Sequence, residues 1–251
     1  MRHLGWLGLV ALAVFAGGGA SASAQQSRCA DCHFANMQES FAHHVNEWDL
    51  TAHGRARVGC ERCHGGDAST FESFLAHRDI RRPNDLQSPV NHRNLPRTCG
   101  SCHAGPFVEF QKSRHFALLA EGQDQGPVCT TCHGDAGSNL LSPKALENRC
   151  ASCHGAGRAV ERPAFPANGR LALEGIRDAR ERLREARRLI DRVRDAARRA
   201  RLEEAAQQAE VPIVQATQAG HAFVYDNLQE RLDTAHERLD VLADDLANPG
   251  R

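Results

Sequence analysis

Apolar positions follow a seven-residue rhythm over the last third of the chain. Ile176, Leu183, Ile190 and Ala197 form one row, and Ala179, Ala186, Val193 and Ala200 form a second, three residues on. Such rows lay one apolar stripe along a helix, as at the a and d positions of a coiled coil. After Pro212 and Gly220 the rhythm returns, with Leu228, Ala235 and Leu242 in one row and Leu232, Leu239 and Leu246 in the other. Two long amphipathic helices with a break between them predict a helical hairpin over residues 169–251. The stretch "RPAFPANG", from Arg162 to Gly169, reads as the linker before it.

Residues 25–168 behave differently. Their segments are short and mostly polar, and neither helical nor strand periodicity lasts. The chain start is different again. Arg2 precedes an apolar run from Leu4 to Phe15, and "ASA" closes at Ala24. That order predicts a cleavable signal peptide over residues 1–24. The run is too short to be a good bilayer span, and no later run approaches the roughly 20 residues needed.

What the middle region lacks in pattern it supplies in repeats. Its ten cysteines form five C-x-x-C-H units: "CADCH" from Cys29 to Cys32, "CERCH" from Cys60 to Cys63, "CGSCH" from Cys99 to Cys102, "CTTCH" from Cys129 to Cys132 and "CASCH" from Cys150 to Cys153. The histidine that follows each pair is His33, His64, His103, His133 or His154. Zinc sites close a tetrahedron, usually with two such pairs per ion, which an odd number of pairs fits poorly. A thioredoxin-like dithiol would occur once, beside a βαβ pattern. C-x-x-C-H attaches haem c: the two thiols add across the vinyl groups, and the adjacent histidine reaches the iron as proximal ligand. Five covalent haems are therefore expected. Only about 25 residues serve each one, so the rings must pack together in place of an ordinary core. Covalent attachment occurs outside the bacterial cytoplasm, in agreement with the signal pattern and a periplasmic location.

The second axial position has few candidates. Of two methionines, Met1 falls in the signal segment and Met37 lies close to His33. Eight histidines remain outside the motifs and the signal segment: His43, His44, His53, His77, His92, His115, His221 and His236. Bis-histidine ligation is the expectation, with His53, His115, His77, His221, His44 and His92 as the distal set. Two of these share a context. In "EWDLTAHGRARVGCERCHGG" and "EFQKSRHFALLAEGQDQGPVCTTCHGD" an aromatic residue, then a hydroxyl two before the histidine, lead to a haem motif. His221 falls seven before Leu228, on the apolar seam, where a packed core histidine is the competing reading. Tyr225 shares that face, and His236 is out of phase with it. Which distal histidine serves which iron stays open.

The haem region resembles periplasmic multihaem c-type cytochromes, on "EWDLTAHGRARVGCERCHGGD", "NDLQSPVNHRNLPRTCGSCH" and "KSRHFALLAEGQDQGPVCTTCHGD". It looks most like the lineage of pentahaem nitrite reductase, octahaem hydroxylamine oxidoreductase and their electron-transfer relatives. "GHAFVYDNLQERLDTA" is similar to that group's terminal helix, which brings a distal histidine and often builds a subunit interface. The resemblance implies distal roles for His53, His115, His221 and His77. The catalytic nitrite reductases carry a lysine-bearing motif that is absent here, which turns the reading from catalysis towards electron transfer.

The expectation is thus a mostly α fold with extensive irregular loops: a haem-packed cytochrome domain over 25–168, then a helical hairpin. Its activity would be electron transfer between redox proteins, such as a membrane quinol oxidoreductase or another multihaem cytochrome. The alternative is an oxidoreductase acting on a small nitrogen or sulfur compound at an open haem. Arginine dominates the first long helix and acids the second, a pattern that favours their pairing or a homo-oligomer. A chain with 31 basic and 31 acidic residues gives no footprint for nucleic acid.

Overall fold

A computed structural model of the 251-residue chain describes residues 28–35, 45–123, 126–134 and 140–248. The expected signal peptide (1–24), Met37, His43 and His44 lie outside the described residues. Among the described residues the structure is helical, without strands, as the mostly α expectation has it.

Short helices and loops make up the motif-bearing region: α1 (Arg28–Ala35), α2 (Ala52–Arg55), α3 (Glu61–His64), α4 (Ser73–Ala76), α5 (Leu95–Gly100), α6 (Ala104–Gln111), α7 (Arg114–Ala120), α8 (Cys129–His133) and α9 (Pro143–His154). Residues 45–49 are also helical. Three of the haem motifs are helical turns in themselves or end one. In α3 and α8 the helix stops at Gly65 and Gly134, whose φ of 77° and 76° suit glycine. Helices this short cannot sustain themselves in water, so other contacts must hold them.

Three long helices follow: α10 (Ala164–Ile190), α11 (Ala196–Ala219) and α12 (Tyr225–Ala247). The expectation was two. The seam of the first row holds from Ile176 to Ile190, all buried, and ends there. Ala197 and Ala200 are exposed. Asp195 starts a new helix by accepting a hydrogen bond from the Arg198 backbone N–H at 2.6 Å. The prolines of "RPAFPANG" likewise mark a helix start. Pro163 caps α10 and Pro166 sits in its first turn, where a missing N–H costs no helix bond.

Nor does Pro212 break the chain. It lies buried inside α11, and it leaves the carbonyl of Gln208, four residues back, without its helix donor. The Arg238 guanidinium of α12 donates to that carbonyl at 2.6 Å. The lost bond becomes a link between helices.

The core of the molecule sits in this three-helix bundle. Ala179, Leu183, Ala186 and Ile190 of α10 meet Leu202, Ala206, Ala209 and Ile213 of α11 and Ala235, Leu239 and Leu242 of α12. A second cluster joins Ala172, Ile176, Ala216, Leu228 and Leu232, with Tyr225 packed against it. The second predicted seam is thus buried throughout, save for half-buried Leu246. Each buried leucine contributes roughly 1.5–3 kcal/mol. The expected charge pairing between helices is present as Arg182–Asp240, while Arg187–Glu210 at 2.6 Å ties α10 to α11. These pairs are largely exposed and worth little individually.

The bundle positions two parts of the motif region. Helix α9, with the fifth motif, packs along α10. The end of α11 runs against α6 so closely that a Cβ on Gly105 would come within 2.7 Å of the Gln218 side chain. This contact carries the following 3-10 turn, Gly220–Ala222, and with it His221, to the motif region.

Candidate functional site

The repeated context around His53 and His115 is a repeated cap. Thr51 Oγ1 accepts from Gly54 N–H at 3.1 Å and donates to the Trp48 carbonyl at 2.6 Å. Ser113 Oγ accepts from Phe116 N–H at 3.0 Å and donates to the Phe110 carbonyl at 2.6 Å. In both, an aromatic residue three before the hydroxyl supplies the carbonyl, and the histidine stands at the second helical position. The hydroxyl satisfies an orphan N–H of a four- or seven-residue helix. The cap therefore fixes the backbone from which the imidazole projects.

Four motif histidines each face a histidine from elsewhere in the chain. His33 meets His77 with ring centroids 5.9 Å apart. His103 meets His53 at 5.8 Å, His154 meets His115 at 5.9 Å, and His133 meets His221 at 6.3 Å with the rings only 18° from parallel. Metal–imidazole bonds run about 2.0–2.1 Å, so two rings on opposite sides of one metal have centroids roughly 6 Å apart. The separations match that span.

Outer partners aim several of these rings. His77 Nδ1 lies 2.7 Å from the Ser73 carbonyl, and His154 Nδ1 lies 2.8 Å from that of Val160. His221 Nδ1 is shared between the carbonyls of Gln218 at 3.1 Å and Thr217 at 3.2 Å. A carbonyl accepts only, so each Nδ1 carries the proton and each Nε2 is left as a lone-pair donor. His115 differs. Its Nδ1 is the single buried side-chain nitrogen or oxygen among the described residues with no hydrogen-bond partner. Burial, and then the neighbouring His154 charge, hold its proton affinity below the usual histidine value. His221 is also lowered, by burial first, although its carbonyl partners oppose the shift.

The cysteines link the motifs into a row. The Cys63 thiol is raised by burial and then by the charges of Cys99 and Cys102, which places the second motif beside the third. A hydrogen bond between Cys99 and Cys129 raises the former and lowers the latter, joining the third to the fourth. Cys150 is raised by burial and then by Cys132, joining the fourth to the fifth. A Cβ on Gly169 of α10 would stand 3.4 Å from Cys150 Sγ, so glycine leaves the room there. The first motif, on α1, leans on the loop after the second. Arg28 donates to the Ser69 carbonyl, and its guanidinium lies 5.1 Å from the Phe71 ring centroid.

The remaining sequence candidates are placed otherwise. His92 Nε2 lies 3.1 Å from the Gly126 carbonyl, and the adjacent Arg93 donates to the Gly122 carbonyl at 2.9 Å. The pair ties two loops together. His236, out of phase with the apolar seam, is half-buried between Arg182 at 3.0 Å and Asp178 at 3.9 Å. Phe223 had no signal in the sequence. It packs edge-on against the His115 ring at 4.6 Å, and it holds a left-handed backbone, φ 58°.

Haem c fits this arrangement by two observations. The paired histidine rings stand at the centroid separation that two ligands of one metal take. The motif region also has few buried apolar side chains of its own before α10, only Ala30, Val45, Pro96, Phe110, Leu119 and Val128 among its described residues. Phe71, Phe74, Leu86 and Leu140 stand largely exposed there, apolar surface that porphyrins would cover.

Comparison with known proteins bears on the same residues. A model of cytochrome c554 and c-prime matches residues 16–65, and a model of cytochrome c7 and related cytochrome c matches residues 86–155. The matches support a multihaem c-type cytochrome. Between them they take in all five C-x-x-C-H units, with covalently bound haem c and electron transfer as the associated chemistry. Each match covers under a third of the chain, and neither reaches the bundle or His221. No curated protein and no solved structure matches the chain.

Proposed function

We propose that this multihaem cytochrome is a pentahaem electron carrier with bis-histidine ligation at its irons. The facing histidines carry the reading. His33 and His77 would hold the first haem, His103 and His53 the third, His133 and His221 the fourth, and His154 and His115 the fifth. For the second, His92 and His236 have other partners, which leaves His43 or His44 to serve His64. The ten motif cysteines tether the rings. When bound, each haem supplies a one-electron iron couple, whose potential bis-histidine ligation keeps low.

The chain's own residues then fix geometry. The Thr51 and Ser113 caps, the carbonyls of Ser73, Val160 and Gln218, and the docked bundle hold imidazoles rather than move protons or bind substrate. A row of motifs with adjacent thiols suits electron hopping along the chain. Residues 25–168 form the cytochrome region in this reading, and residues 169–251 form its helical cover. The protein works in the periplasm with redox-protein partners, among the electron-transfer relatives of the nitrite reductase and hydroxylamine oxidoreductase lineage. Among the described residues no helix is long and apolar enough to cross a membrane.

The test is a set of alanine variants at His77, His53, His115 and His221 in the holo-protein. Intact mass should show five haems in each. Each variant should gain one high-spin ferric haem, and the four should differ in which low-spin signal disappears. A variant that leaves the spin states unchanged removes that residue from the ligand set.

A further inference from the structure

The end of α11 and the turn after it lie along one side of α6. Two contacts fix how they align. Gly105 of α6 meets the Gln218 side chain, within 2.7 Å of where a Cβ would stand, and the Phe110 and Phe223 rings lie 6.3 Å apart. His221 falls between Gln218 and Phe223. Glu109 falls between Gly105 and Phe110, on the same face as Gly105 one turn along. The Glu109 carboxylate is thereby held beside the turn that presents His221. Lys112 donates to Glu109 Oε1 at 2.7 Å, but the two are not equally placed: the glutamate side chain is 20% exposed and the lysine 58%. The acid is the inner member of the pair, and water screens the lysine more strongly. The charge reaches the histidine. Burial lowers the proton affinity of His221, and Glu109 works against that lowering.

We infer that Glu109 lowers the potential of the His133/His221 haem, with Lys112 as the counter-charge that limits the effect. The inference rests on the bis-histidine reading above. The step is one electron from a reduced redox-protein donor to ferric iron, giving ferrous iron with no ligand bond made or broken. Ferric iron carries one more positive charge than ferrous, so a fixed negative charge beside an axial ligand favours the ferric state. Glu109 acts through its charge and is not itself a ligand. The fourth motif adjoins the third through Cys129 and the fifth through Cys132. An electron passing from the third haem to the fifth would therefore cross the centre that Glu109 tunes.

The experiment is an EPR-monitored redox titration of the holo-protein, comparing wild type with Glu109→Gln, Glu109→Asp and Lys112→Gln. The low-spin signal that His221→Ala removes identifies the haem to follow. Glutamine keeps the shape of glutamate and removes its charge. At a fixed applied potential, E109Q should move the ferrous-to-ferric ratio of that haem about tenfold towards ferrous, an upward shift of ~59 mV in a one-electron couple. K112Q should move the same step downward, and E109D should leave it close to wild type. The other four steps should move less in every variant. The followed step unmoved in E109Q, or all five steps shifted equally, would overturn the inference and leave the bis-histidine reading standing. Should E109Q fail to fold, K112Q decides at an exposed position: no downward shift of that step overturns the inference. Unchanged spin states in His221→Ala would instead defeat the underlying ligation, and the inference with it.

Discussion

Replacing Ser113 by alanine should release one axial histidine and leave the rest of the molecule intact. Ser113 is only 3% exposed, and its hydroxyl makes two hydrogen bonds, one to Phe116 N–H at 3.0 Å and one to the Phe110 carbonyl at 2.6 Å. Each is worth about 1 kcal/mol net, and an N-cap loss alone costs about 0.5–2 kcal/mol, so the held state of α7 should weaken by about 2 kcal/mol. At about 1.4 kcal/mol per tenfold, the population with His115 swung away rises about thirtyfold. Cyanide uptake by the ferric holo-protein reads this directly, because cyanide must wait for a distal ligand to leave. One haem in five should take up cyanide about thirtyfold faster, and Ser113→Thr should restore the slow rate. Unchanged uptake, or a rise shared by all haems, would refute the role assigned to the cap.

Other outcomes test other links. His221→Ala should yield one high-spin haem with the far-UV circular dichroism melt of the bundle nearly unchanged, since His221 stands outside both core clusters. Leu242→Ala, at a fully buried bundle position, should cost about 2–5 kcal/mol in denaturant titration of helicity, and it should not alter haem content. Arg238→Ala should destabilise the bundle by about 1 kcal/mol. In a Pro212→Ala background it should cost almost nothing, because the backbone N–H that this substitution restores would satisfy the Gln208 carbonyl; a double-mutant cycle without coupling would reject that link.

The sequence was most legible where one physical cause acted alone. The seam from Leu228 to Leu246 is an unbroken period, and it is buried as expected up to half-buried Leu246. The earlier seam misled because Ala197 and Ala200 keep the heptad phase by composition alone. The real boundary is the Asp195 cap, a local signal that the longer period hid. Prolines misled in a similar way, since Pro163 and Pro166 open a helix and Pro212 is absorbed by Arg238. At the candidate site, the shared context of His53 and His115 was visible as a pattern, and its meaning is a capped turn that presents an imidazole. Which ring faces which was not legible, because each pair joins segments far apart in the chain. Phe223 was equally hidden, since its packing on the His115 ring brings the turn before α12 against the aromatic rings of α6 and α7.

In the proposed function each iron is held between two histidines. Magnetic circular dichroism of the fully oxidised holo-protein, normalised to haem content, measures it most directly. The spectrum should show five low-spin ferric haems with the near-infrared signature of bis-histidine ligation and no high-spin component. A high-spin haem that binds nitrite or hydroxylamine would contradict it and point to catalysis at an open iron.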